Sequence, residues 1–89
     1  MSTPEAGGHR VQVSGQGALL DRFRAPLQEA LGPRRRPYAV SIDAVGRVGE
    51  VLFSITGSSG RLPLLFASED LEPAYVTRVV SDSVDRFGL

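Results

Sequence analysis

The chain has no cysteine, lysine, asparagine or tryptophan, and its single histidine is His9. Each gap removes a kind of chemistry. Without cysteine there is no disulfide and no thiolate metal ligand, and a reducing compartment is compatible. Without lysine there is neither a Schiff base nor a P-loop. One histidine with no thiol beside it cannot complete a structural zinc set, so no metal and no cofactor are expected. Acidic and basic residues number 10 each, and the resulting zero net charge removes the global attraction that nucleic-acid and acidic-membrane binders show. No apolar run approaches the ~20 residues that span a bilayer. Met1 to Gly8 has no basic start followed by an apolar block, so no secretory signal is expected and the cytoplasm is the expected location. All the cationic side chains are arginine, a bias shared with proteins encoded by GC-rich bacterial genomes, so a bacterial source is expected.

What remains is material for one globular domain. With 89 residues, 42% of them apolar and 22% charged, the composition argues against disorder and against a coiled coil. A chain of this length removes only ~60 to 65% of its unfolded surface from water, and a partner subunit would add to that. Residues 1–8 are small, polar and broken by Pro4 and two glycines, which predicts a disordered lead-in to a single domain over 9–89.

The stretch from Tyr38 to Phe66 organises the rest. Tyr38, Val40 and Ile42, then Val51, Phe53 and Ile55, then Leu62, Leu64 and Phe66 recur with period two, the spacing that sends alternate side chains to one side of a pleat. Three antiparallel strands are predicted, turning through Ala44 to Gly49 and through Gly57-Ser58-Ser59-Gly60. Pro63 cannot donate to a ladder, which puts the last strand at an edge or a bulge. Before this meander, His9 to Ser14 reads as a short strand with Val11 and Val13 on one side. Residues 18–31 read as an amphipathic helix carrying Leu19, Leu20, Phe23, Leu27, Ala30 and Leu31 on one arc. Pro26 predicts a bend there or a division into two pieces, and Gly32-Pro33 predicts the stop, with Gly32 in the left-handed cap.

After the meander, Ser68-Glu69-Asp70 supplies side chains suited to a helix start, with Pro73 in the first turn. The helix is expected to run to about Phe87 and stop at Gly88. Its stripe is Val76, Val80, Val84 and Phe87, with a shoulder of Leu71, Tyr75 and Val79. Arg78, Asp82 and Arg86 stand at i, i+4 spacing, which predicts a solvated salt-bridge ladder. The order is β-α-β-β-β-α, an α+β two-layer sandwich with a mainly antiparallel sheet and both helices on one face. The simplest place for the first strand is beside the second, in parallel.

Few residues are suited to chemistry. Glu69, Asp70 and Glu72 cluster where a helix start favours acids, and Asp82 and Asp85 sit on a helix already rich in arginine. No catalytic residues are assigned, and a non-enzymatic protein is expected. Gly57-Ser58-Ser59-Gly60 has the outline of the KH-domain loop, but that loop joins two helices and this one joins two strands. The α-β-β-β-α portion resembles the double-stranded RNA-binding domain in outline, but Glu69, Asp70 and Glu72 stand where that family has a basic helix start. No RNA function is carried over.

Two surfaces stand out. Leu52, Pro63 and Leu65 fall on the outer side of the sheet, and with Tyr75 and Val79 on the last helix they make an apolar surplus suited to a protein partner or a second copy. The alternative cover for the sheet patch is the N-terminal segment. Arg34-Arg35-Arg36, with Arg61, form the one concentrated cationic feature, able to touch about three phosphates without reading sequence. The expected function is therefore a protein-interaction or assembly module, a homo-oligomer or an accessory subunit of a bacterial complex. A nucleic-acid-associated accessory role for the arginine loop, or small-ligand binding between helix and sheet, are the alternatives, and no membrane partner is expected.

Overall fold

The computed structural model describes residues 11–46 and 49–89. The predicted lead-in, His9 and the hairpin residues Arg47 and Val48 lie outside the described residues. The elements run β1 (Val11–Ser14), α1 (Gly17–Leu31), β2 (Tyr38–Val45), β3 (Glu50–Gly57), β4 (Gly60–Phe66) and α2 (Pro73–Arg86). One sheet holds the strands in the order β1-β2-β3-β4. β1 is parallel to β2, and the other two pairings are antiparallel.

The register keeps the apolar residues in step. Val40 faces Ile55, Ile42 faces Phe53, and Phe53 faces Leu64, so every residue of the period-two set lands on one face. That face is buried except at β4, where Leu62 and Leu64 are only partly covered, as an outermost strand allows. Both helices lie against it. Phe23 of α1 meets the Phe53 ring edge-on at 5.2 Å, Phe53 meets Phe66 at 5.3 Å, and Phe66 meets Tyr75 of α2 at 6.1 Å. These T-shaped contacts, each worth about 0.5–1.5 kcal/mol beyond area burial, link α1, β3, β4 and α2 in one chain of rings. Phe23, Leu27 and Leu31 from α1 and Val76, Val80 and Val84 from α2 complete the core.

The element ends depart from expectation. α1 is not divided at Pro26. The carbonyl left without a donor belongs to Arg22, four residues back on the exposed side, where water can serve it. Gly32 does not take the left-handed cap: it stays right-handed at φ −54°, the chain continues through a 3₁₀ turn over Gly32–Arg34, and Arg35 adopts φ +58° instead. Ser68–Asp70 forms its own 3₁₀ turn and caps nothing. α2 begins later, with Pro73 in its first turn and Glu72 before it making no side-chain cap bond.

At the far end of α2, Gly88 turns left-handed at φ +72°. The Leu89 N–H bonds the Val84 carbonyl at 3.0 Å and the Gly88 N–H bonds that of Asp85 at 3.4 Å. This is the Schellman pattern. It reverses the chain, so Phe87, expected in the core stripe, is 63% exposed and Leu89 is buried in its place. Leu89 sits against Gly57, where an added Cβ would meet the Leu89 Cβ at 3.4 Å. No helix among the described residues is long and apolar enough to cross a membrane.

Candidate interaction surfaces

The helices cover one side of the sheet, and the other side is organised in rows by the ladder. One row reads Gln12, Ala39, Thr56 and Arg61 from β1 to β4, and the next reads Ser14, Ser41, Ser54 and Pro63. A third holds Asp43, Leu52 and Leu65, and the last holds Val45 and Glu50. Most of these side chains are exposed or half-buried. Ser54 is the exception at 5% exposure, a short side chain between Ser41 and Pro63 on the neighbouring strands.

The predicted patch of Leu52, Pro63 and Leu65 is assembled here. Leu52 and Leu65 are direct cross-strand partners, Pro63 sits opposite Ser54, and Leu65 is 58% exposed. Charge is segregated around the patch. Arg61 is at one end of the face, while Asp43 and Glu50 are at the other. Near the Arg61 end, Gln12, Pro37, Tyr38, Ala39, Thr56, Gly57 and Ser58 border a shallow hollow of about 430 Å³.

Tyr75 and Val79 do not join this surface. Both belong to α2, on the opposite layer: Val79 packs on the core, while Tyr75 is 40% exposed, edge-on to Phe66. The Arg78 guanidinium lies 5.9 Å from the Tyr75 ring centroid rather than in the predicted ladder with Asp82. Among the described residues, the ion pair on this helix is Arg34–Asp85, at 2.9 Å. Phe87, exposed on the same helix end, was assigned to the core by its spacing. The glycine after it was the signal that the helical period stops there.

The arginine loop is drawn into the fold. Arg34 donates to the Ala30 carbonyl in the last turn of α1, at 3.3 Å. It also donates to the Ser81 carbonyl at 3.2 Å and to the Asp85 carboxylate at 2.9 Å. Arg36 donates to the Leu89 carbonyl at 3.1 Å, and the buried Tyr38 hydroxyl donates to the same oxygen at 2.8 Å. A helix C-terminus carries partial negative charge and unpaired carbonyls, so two of the three guanidiniums serve the ends of α1 and α2. Arg35 occupies the left-handed turn between them. Arg61 lies apart, on the outer sheet face.

Among the described residues no three His, Cys, Asp or Glu side chains converge as metal ligands would. Compared with known protein families, characterised proteins and solved structures, the chain matches none.

Proposed function

We propose that this domain is a non-enzymatic protein-interaction module that docks through the outer face of its sheet, in a bacterial cytoplasmic setting. The observation that carries the reading is the Leu52–Leu65 cross-strand pair, with Leu65 58% exposed. Two leucines facing each other on a solvated sheet make an apolar patch that a monomer gains nothing from exposing. Covering it returns about 25 cal/mol for each Å² of apolar surface removed from water. The cytoplasmic setting is compatible with the absence of cysteine, and the bacterial one is supported by the use of arginine for every cation.

The nucleic-acid reading of Arg34, Arg35, Arg36 and Arg61 takes second place, because Arg34 and Arg36 already donate to the Ala30, Ser81 and Leu89 carbonyls. Retention on duplex or single strands at low salt, lost when the three loop arginines become alanine, would restore it. The small-ligand reading, which expects a groove between helix and sheet, draws no support from the hollow beside Ala39 and Thr56, because that hollow is bordered by the outer-face row and by no helix residue.

The test is isolation of the protein from its own host, followed by light scattering, for the native chain and for Leu65→Glu. A complex, with itself or with another protein, is expected for the native chain and lost in the variant, with circular dichroism unchanged. A native chain that is monomeric and carries no partner, or a complex indifferent to Leu65→Glu, refutes the proposal.

A further inference from the structure

We infer that the occupant of the outer sheet face is the same face of a second copy, related by a two-fold axis that runs across the strands midway between the Ser54 and Leu52 rows. This rests on the interaction-face reading above and adds the partner and its register. A two-fold contact requires one patch to be complementary to itself, with residue i meeting j while j meets i. This face has that property along the strand direction: exposed Leu65, half-buried Leu52 and the acids are at one end, the recessed Ser54 and Arg61 at the other.

Rotation about the proposed axis lays each strand over its own counterpart, running the opposite way. Leu52 then sits over the partner's Ser54, the most buried position on the face, and Leu65 over the partner's Pro63. Arg61 arrives one strand, about 4.8 Å sideways, from the partner's Glu50. Both the apolar and the charged match occur twice. Shifting the axis onto the Ser54 row puts Arg61 over the partner's Leu65 and leaves Glu50 without a cation. An axis along the strands sets Arg61 against the partner's Gln12, and the charge match is lost. Only the first arrangement uses the segregated charge, and it is compatible with the ~30° crossing of face-packed sheets.

Four strands at ~4.8 Å and about six residues at ~3.4 Å give a footprint of roughly 19 by 20 Å. Interfaces of this size are small, so a dimer is expected at ~100 µM that dissociates on dilution to ~1 µM.

Sedimentation velocity on the full chain across that range, with single and mixed variants, decides the matter. Arg61→Glu and Glu50→Arg each place two like-charge contacts in the interface, so each alone should be monomeric where the native chain is dimeric. Mixed in equal amounts they should recover a heterodimer, because both pairs are then opposite in charge again. Should Glu50→Arg fail to fold, Glu50→Gln serves: it should weaken the dimer ~3- to 10-fold, reading each exposed pair at well under 1 kcal/mol. A native chain that stays monomeric at ~100 µM overturns the inference and leaves the face to residues 1–10 or to a different protein. A dimer dispersed by Leu65→Glu but not recovered by mixing overturns the two-fold register while the interaction face stands. A dimer indifferent to Leu65→Glu overturns both.

Discussion

At the scale of single residues, Arg34 shows how a side chain that looks like a docking charge becomes a strut. Its guanidinium reaches the end of α1, the backbone of α2 and the Asp85 carboxylate, a spread of acceptors that a planar fork can serve and an ammonium cannot. Arg34→Lys is therefore expected to lower stability by about 1–2 kcal/mol in urea unfolding, from two or more hydrogen bonds lost or bent. Asp85→Asn removes only the ion pair, whose acidic partner is 69% exposed, and should cost under ~1 kcal/mol. Equal losses in the two variants would show that the carbonyl bonds contribute nothing. The run of three arginines was plain in the sequence. Its use was not, because the carbonyls it serves lie 47 to 53 positions away for Ser81 and Leu89, and no local pattern announces such a meeting.

At the scale of elements, existence and type were legible while the ends were not. Period two over Tyr38–Phe66 and the helical spacing over residues 18–31 and 73–86 are strong because burial on one side enforces them along the whole element. Ends are decided by a few backbone bonds that compete closely. Ser68, Glu69 and Asp70 are suited to capping, yet they close a 3₁₀ turn and leave the helix to start at Pro73. Gly88 was correctly read as a terminator, but its consequence, that Leu89 rather than Phe87 reaches the core, follows only from the reversal it makes. Gly88→Ala should cost about 1 kcal/mol or more, because alanine is strained at φ +72°. The loss should appear in amide exchange as weaker protection of the Leu89 N–H. Unchanged protection would mean that the Schellman bonds survive without glycine.

At the scale of the whole molecule, the two faces of the sheet should respond oppositely to mutation. Phe53 is fully buried and in edge-on contact with two rings, so Phe53→Ala should cost about 3–5 kcal/mol, enough to unfold much of a domain this small. Leu65→Glu should leave the unfolding free energy of the monomer within ~0.5 kcal/mol of native, measured below the concentration of any association. A large loss there would mean that Leu65 is buried within a single chain. Both faces were visible as alternating residues, and so was the Leu52, Pro63 and Leu65 patch. The split between that patch and Tyr75–Val79 was not, because spacing assigns a residue to a side of its own element and says nothing of which layer that element occupies.

Pro63 fixes how this domain can grow into anything larger. It stands in the middle of β4, the outermost strand on that side, and interrupts the row of donors that an incoming strand would need. Sideways extension of the sheet through β4, in which one sheet runs on into the next, is thereby disfavoured. Pro63→Thr would reopen the rim: on concentration it should form thioflavin-positive fibrils that the native chain does not.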